Sequence, residues 1–457
     1  MTDRATAIHA AAAKAASPAF RAALAALIGY PTDATAPGAS DALAAYLDHI
    51  TADIAALGFA CRRLEQDGFP FLLASRVEDP ALPTVLGYAH GDTVPGMVGR
   101  WRDDLDPWAL TEVGDLWFGR GIADNKGQYL VNITALAEVI AARGALGFNA
   151  HIIVEMGEEI GSPGLGALCE KLKHDLNADL FLSSDGPRLS ADTPTMFLGA
   201  RGGMNLKLSI HRRTGGRHSG NFGGALANPG LELAHALASI SSQTGEVLIP
   251  AWTPGSVPAA ARAALNGLTP CGGEVDAGWG APGLTPAERV HAWSSAEILA
   301  FTCGTPEHPV NAIPPEAHAW VQLRYVVGVD PDNIVPALRR HLDAAGFAHV
   351  EISTTDVAFK ASQTPVDHPF AKFVARSLRT TADRAPVVLP SLGGSLPNDI
   401  FTDTLGLPAV WVPHSYPGCS QHAPDEHLPA AIFPDAVALM TGLYWDIGVA
   451  DRADLGL

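Results

Sequence analysis

In the stretch Ala150-His151-Ile152-Ile153-Val154-Glu155-Met156-Gly157-Glu158-Glu159-Ile160-Gly161-Ser162, an apolar run over residues 150–154 reads as a buried strand. Two adjacent carboxylates, Glu158 and Glu159, stand where that strand should end. Gly161-Ser162-Pro163-Gly164 then stops the strand and starts a helix. Neighbouring carboxylates repel, so a buried pair needs a positive charge close by. A metal ion is the simplest source: one Glu can ligate it while the other takes a proton from water. Taken alone, the pair also reads as an exposed acidic turn. The rest of the chain turns the balance toward a metal.

Residues 69–77 and 84–89 read as strands, and the second runs straight into His90-Gly91-Asp92-Thr93-Val94-Pro95. Residues 117–123 lead to Asp124-Asn125-Lys126-Gly127, followed by a helical stretch at 128–143. Residues 180–184 form another strand, ending at Asp185. Strands alternating with helices of this length predict an α/β domain with a largely parallel central sheet. Ligands of such sheets collect beyond the carboxyl ends of the strands. His90, Glu158, Glu159 and Asp185 all fall there, and Asp124 lies in an equivalent loop.

The pattern changes near residue 200. Residues 204–210 alternate as a half-buried strand, and Asn228-Pro229 supplies a helix cap with Pro in the first turn. Residues 317–327 and 349–354 read as strands around a helix opened by Asp330-Pro331, while 248–286 is Gly/Pro-rich and irregular. The expected organisation is a catalytic domain over 1–199 and 362–457, interrupted by a small α+β domain over 200–361 with one helical face. A helix at 369–381, Gly393-Gly394-Ser395, a strand at 409–412 and a loop carrying His414 and His422 complete the chain.

His90, Asp124, Glu159, Asp185 and His422 make a mixed imidazole–carboxylate set suited to zinc, with manganese and cobalt as alternatives. Five such groups exceed the needs of one four-coordinate ion once water is counted. They fit two divalent ions sharing a bridging carboxylate. Asp92, two positions after His90, is placed to accept the second ring N–H of that histidine.

Together His90-Gly91-Asp92-Thr93-Val94-Pro95, Gly121-Ile122-Ala123-Asp124-Asn125-Lys126-Gly127, Glu158-Glu159-Ile160-Gly161-Ser162, Asp185 and His422 resemble the M20 metallopeptidases. That family includes carboxypeptidases, dipeptidases, aminoacylases and deacylases. The resemblance runs from about residue 15 to the C-terminus; Asp106-Pro107-Trp108 and Gly119-Arg120-Gly121 look most like the dipeptidase-type branch. It implies that Asp124 bridges two metals, that His90 and Asp185 complete one site, and that Glu159 and His422 complete the other. Glu158 would be the general base, and a cis peptide is implied at Asp124–Asn125. The inserted segment resembles the family's ferredoxin-like lid and dimerisation domain. By that resemblance His218, in Arg217-His218-Ser219-Gly220, reaches a partner subunit's site to act on the oxyanion, and a homodimer follows. Asn311 and Arg324 also sit at family-like positions. Arg324 is the implied clamp for a substrate carboxylate, because guanidinium meets that group bidentately. Gly393 and Gly394 could present backbone N–H groups to the same carboxylate, or form a simple turn. Ala89 stands where Gly is common, and Asp425-Glu426 where Asn-Glu is common; neither removes a ligand.

Bulk properties narrow the classes. The 457 residues suffice for two domains, and 47% hydrophobic with 17% charged residues is ordinary for a globular chain. A formal net charge of −18 disfavours nucleic acid or an anionic membrane as partner. Five scattered cysteines without a CxxC pair read as free thiols in a reducing compartment. The Ala-rich N-terminus reads as a first helix rather than an export signal, and no run reaches membrane-span length, so a cytoplasmic location is expected. The resulting expectation is a dinuclear metal hydrolase cleaving the amide of a dipeptide-like or N-acyl amino acid, a small-molecule substrate. The alternatives are an N-carbamoyl or other non-peptide amide hydrolase on the same scaffold and, further off, a catalytically silent binding protein.

Overall fold

The structure, a computed structural model, describes residues 3–457, with the backbone alone at residues 271 and 356–358. The chain divides into two compact units. One comprises Met1–Gly199, Gln363–Leu392 and Pro397–Leu457; the other comprises Ala200–Ser362 and Gly393–Leu396. Cys61, Cys169, Cys303 and Cys419 are free, and the side chain of Cys271 lies outside the described residues. Among the described residues no single helix is long and apolar enough to cross a membrane.

The first unit is built on an eight-stranded sheet. Its order is Ala60–Gln66, Phe69–Arg76, Asn149–Glu155, Thr84–His90, Leu180–Ser183, Ala409–Trp411, Thr195–Phe197 and Val387–Leu389. The expected largely parallel sheet is in fact mixed. Asn149–Glu155, Thr84–His90, Leu180–Ser183 and Ala409–Trp411 run parallel through the centre, as do Thr195–Phe197 and Val387–Leu389. The first two strands and the Ala409–Trp411 to Thr195–Phe197 junction are antiparallel. For the first pair alone the reason is local. Asp67-Gly68, both at positive φ (53° and 81°), closes a tight hairpin between Ala60–Gln66 and Phe69–Arg76, and a two-residue hairpin can join only antiparallel strands.

Every residue of Asn149–Glu155 is buried, as is nearly all of Thr84–His90, in keeping with continuous apolar runs covered on both faces. Helix Lys126–Arg143 faces the sheet through Tyr129, Ile133 and Leu136, buries Val131, Ala135 and Val139 elsewhere in the core, and ends at Gly144, whose φ of 80° gives the left-handed exit that glycine takes without strain. Around Trp411 an aromatic cluster forms, in which Phe181 stacks on Phe401 at 4.1 Å. Such a pair contributes about 0.5–1.5 kcal/mol beyond its buried area.

The second unit contains a four-stranded antiparallel sheet in the order Ser295–Thr302, Glu316–Tyr325, Gly202–His211 and Glu351–Phe359. Alternation divides its faces. Leu206, Leu208, Ile210, Ala317, Ala319, Val321 and Leu323 are buried under helices Pro229–Ile240 and Ile334–Ala344. Lys207, Ser209, His211, Trp320, Gln322 and Arg324 occupy the opposite face. Asn228 caps the first helix, its side chain accepting from the N–H groups of Gly230 and Leu231. After Asp330 the chain makes a 3-10 turn, Pro331–Asn333, before the helix proper begins at Ile334. Strand Ser295–Thr302 carries no periodic buried face, with Ile298, Leu299 and Phe301 exposed. Its sequence therefore lacks the alternation that marked the other strands.

Candidate metal centre

Four of the five expected ligands are delivered by the parallel strands of the first unit. His90 ends Thr84–His90, Glu159 lies in the 3-10 turn Glu158–Ile160 just beyond Asn149–Glu155, and Asp185 follows Leu180–Ser183. His422 lies in the loop after Ala409–Trp411. Asp124 comes from the loop before helix Lys126–Arg143, and the Asp124–Asn125 peptide is cis. Two glycines permit the close approaches. A Cβ on Gly91 would sit 2.3 Å from the Tyr46 ring, and one on Gly127 would sit 2.0 Å from the Ile122 carbonyl oxygen.

Asp124 stands at the centre. Its Oδ1 is 2.9 Å from His90 Nε2, and its Oδ2 is 3.0 Å from His422 Nε2. His90 Nε2 also lies 3.6 Å from Asp185 Oδ2, and His422 Nε2 lies 3.1 Å from Glu159 Oε2. The donor atoms thus form two trios, His90–Asp124–Asp185 and Asp124–Glu159–His422, sharing one carboxylate. Ligands bonded at 2.0–2.1 Å to a tetrahedral ion stand roughly 3.3 Å apart, so these separations suit a cation in each trio. His422 holds a left-handed backbone (φ 62°), which costs about 1–2 kcal/mol in a residue with a side chain. Its contacts to Asp124 and Glu159 offset that cost.

The expected partnership of Asp92 with His90 takes a different form. The ring Nδ1 meets the Asp92 main-chain carbonyl at 3.1 Å, while the Asp92 carboxylate lies 3.5 Å away. A donating Nδ1–H leaves the Nε2 lone pair free for a metal. The Asp92 carboxylate instead accepts from the backbone N–H groups of Glu158 (3.1 Å) and Glu159 (3.0 Å). One residue therefore orients a ligand with its backbone and anchors the Glu-Glu turn with its side chain.

Crowding of charge is the dominant electrostatic feature. Burial, only partly offset by His90 and reinforced by Glu159, Asp185 and Asp124, pushes the Glu158 carboxyl well above its usual range. Burial and the charge of Asp124 raise Glu159 to about 7, and the same two causes raise Asp185. For Asp124 burial acts upward too, but hydrogen bonds from His422 and His90 hold it low. Hydrogen bonds to Asp124 and Glu159 lift His422 to about 11. Glu159 Oε1 and Asp185 Oδ2 are buried with no hydrogen-bond partner. Orphaned carboxylate oxygens in a cluster of imidazoles and carboxylates, Asp185 Oδ2 itself 3.6 Å from His90 Nε2, fit divalent cations, which would satisfy them and neutralise the cluster.

Behind Asp124 lies a support that the sequence reading left unassigned. Glu426 accepts from the backbone N–H groups of Gly121 (3.1 Å), Ala123 (2.8 Å) and Asp124 (3.3 Å), and from Arg120 Nη1 at 2.8 Å. Arg120 and Glu426 are both about 1% exposed, and Gln421 donates to Asp124 Oδ2. Arg120 and Glu426 lie 306 positions apart, so no local pattern couples them. We expect Glu426→Ala to lower stability by about 3–5 kcal/mol, since it strands a buried guanidinium, and to loosen metal retention. Thermal denaturation and metal content check this; an unchanged melting temperature would reject the support.

The remaining expected site residues belong to the second unit. His218 is exposed, its Nδ1 accepting from the Gly220 N–H at 3.1 Å, and it pairs across a short ladder with Ala312, next to Asn311. The Asn311 carbonyl accepts from the Ser219 N–H at 2.9 Å. Arg324 Nη1 donates to Ser395 Oγ at 2.6 Å, and Gly393 accepts from Arg201 through its carbonyl. The Gly393-Gly394-Ser395 segment is thereby held beside Arg324.

A family model described as "Peptidase family M20/M25/M40" matches residues 86–446. Beta-Ala-His dipeptidase of Mus musculus is 37% identical over 186 residues, covering 40% of this chain and 37% of that protein. Cysteinylglycine-S-conjugate dipeptidase of Corynebacterium striatum is 26% identical over 330 residues, 69% of this chain and 70% of that one. The crystal structure of human carnosine dipeptidase 1 superposes with a TM-score of 0.80 at 20% identity, covering 97% of this chain and 98% of the other. The chain thus spans less than two-fifths of the first curated relative it matches, whereas the fold likeness covers almost all of it.

Proposed function

Because this chain belongs to peptidase family M20/M25/M40, we propose that it is a metal-dependent hydrolase of the amide bond in a dipeptide or dipeptide-like substrate. The observation that carries the reading is Asp124, which offers one carboxylate oxygen to each of two histidines and so joins two ligand trios. The dipeptidase names of its relatives favour a small peptide substrate. His90, Asp124 and Asp185 would hold one divalent ion and Asp124, Glu159 and His422 the other, with zinc the first choice for this ligand set. Such ions, when bound, supply Lewis-acid polarisation of the carbonyl and ease ionisation of water.

The chain's own residues do the rest. Glu158 takes the proton of the attacking water and passes it to the departing amine, a role that suits a buried carboxyl inclined to hold a proton. Asp92 holds Glu158 in place through the backbone of its turn. Arg324 meets the substrate carboxylate, and Gly393 and Gly394 border that position. His218 donates to the developing oxyanion, with the second unit serving as a lid and as the contact between two copies of the chain. Its edge strand Ser295–Thr302, with Ile298, Leu299 and Phe301 exposed, suits such a contact.

The test is amine release by protein reconstituted with zinc, manganese or cobalt, against chelated protein. The panel holds dipeptides, N-acyl and N-carbamoyl amino acids and aryl amides. Metal-dependent cleavage confined to substrates with a free carboxylate is expected. Arg324→Ala should raise KM for these by about tenfold or more, as loss of a charged hydrogen-bond partner implies. Preference for N-carbamoyl compounds would replace the peptidase reading, and silence across the metallated panel would reject it. Activity that persists after dilution to the monomer would remove the role of His218 across subunits.

A further inference from the structure

A second group of metal-ligating side chains lies on the open face of the four-stranded sheet, within the second unit. His211 is the last residue of Gly202–His211 and pairs in register with Glu316, the first residue of Glu316–Tyr325. Ser209 pairs with His318 on one side and with Glu351 on the other. Strand alternation puts all five side chains on one face, and cross-strand neighbours there approach to within about 5 Å. His211 Nδ1 is 2.9 Å from Glu316 Oε2, and His318 Nε2 is 3.6 Å from Glu316 Oε1. The two imidazole rings are 5.2 Å apart at 61°. One ligand atom from each of the three residues falls within 4.8 Å of the others. Glu351 stands behind them, its Oε2 3.9 Å from His211 Nε2.

The hydrogen bonding of His318 lets the group serve as more than a surface ion pair. Its Nδ1 is 2.9 Å from Ser209 Oγ. In the tautomer whose Nδ1–H donates to that hydroxyl, the Nε2 lone pair faces the Glu316 carboxylate; in the other tautomer Nε2–H faces it. A lone pair facing an anionic oxygen repels it, and a cation between them turns that repulsion into two bonds. The Ser209 contact is also the outer hydrogen bond that commonly fixes the tautomer of a ligating histidine. Two imidazoles and a carboxylate suit borderline divalent ions such as Zn²⁺ or Cu²⁺, whereas Ca²⁺ and Mg²⁺ require oxygen-rich shells.

We propose that His211, Glu316 and His318 form a third cation site, separate from the Asp124 centre, that binds a first-row divalent transition-metal ion, zinc foremost. Water completes the coordination, with Glu351 near enough to hold that water or replace it. The ion joins the ends of two adjacent strands across the exposed face. None of the three residues has a part in the hydrolytic reading, so occupancy here is independent of it.

The test is zinc content of the full chain at equilibrium dialysis against micromolar free zinc, compared with His211→Ala/His318→Ala. The variant should hold one ion fewer per chain and cleave dipeptide at the wild-type rate. Equal zinc content overturns the site. Cu²⁺ added in three equivalents to metal-free protein gives a second readout: each Asp124 trio holds a single imidazole, so only this site should show electron paramagnetic resonance splitting from two imidazole nitrogens, reduced to one in His318→Gln. Absence of that splitting overturns the site as well, and because His318→Gln is a conservative change at a half-buried position, it serves if the double variant does not fold.

Discussion

Glu158→Gln should lower kcat by about 10²–10⁴-fold, the range assigned to a positioned general base, while metal content stays at the wild-type level. Glutamine keeps the shape of the side chain but cannot take a proton. The ligand trios contain His90, Asp124, Asp185, Glu159 and His422 and not Glu158, so the substitution leaves them intact. The Glu158 backbone N–H still donates to Asp92 at 3.1 Å, so the turn should hold. A structural role would give the opposite signature, with lost stability and lost metal. Burial and three neighbouring carboxylates already disfavour the Glu158 charge, so the metal-free variant should melt no lower than the metal-free wild type. Steady-state kinetics, metal analysis and a melting curve on one preparation suffice. A rate close to wild type would remove Glu158 from the chemistry.

The second large effect concerns chelated protein and pH. Glu159 is raised from its usual 4.5 to about 7, so over that window the folded chain holds a proton that the unfolded chain has lost. Glu158 and Asp185 are displaced in the same direction. His422, raised from 6.5 to about 11, extends the imbalance upward. When the folded state binds more protons than the unfolded state, unfolding free energy falls as pH rises. Metal-free protein should therefore lose thermal stability steadily from about pH 4.5 through 7 and beyond. Each unit of displacement is worth about 1.4 kcal/mol, a substantial part of the 5–15 kcal/mol that holds a typical domain together. Bound cations replace the protons, so the reconstituted enzyme should show a much flatter profile. Parallel melting profiles with and without metal would show that these carboxyls do not sense one another.

Much of this was legible without coordinates. The strand-ending positions of His90, Glu158, Glu159 and Asp185 were readable because apolar runs of strand length stop abruptly at polar, glycine-rich turns. Asn228-Pro229 announced its helix through cap chemistry, which is local. The mixed character of the large sheet was not readable in the same way. Buried strands look alike whether their neighbours run with them or against them, and the antiparallel Thr195–Phe197 junction joins segments more than 200 positions apart. Strand Ser295–Thr302 escaped notice because an edge strand with exposed apolar side chains has no periodic signature. The work of Glu426 was hidden for a third reason: a carboxylate that accepts three backbone N–H groups leaves no mark beside those groups in the chain.

By itself the sequence determined the inventory of donors and the order of the motifs that carry them. Both depend on residue identity and on short-range strand and turn propensities, which are written locally. Only the tertiary structure decided that Asp124 shares its two oxygens between His90 and His422, that Asp92 anchors the Glu-Glu turn, and that His211, Glu316 and His318 converge. Those are distances of about 3 to 4 Å between groups mostly remote in the chain. They are set by sheet register and by the packing of a loop against Glu426, terms that appear only when the whole fold closes.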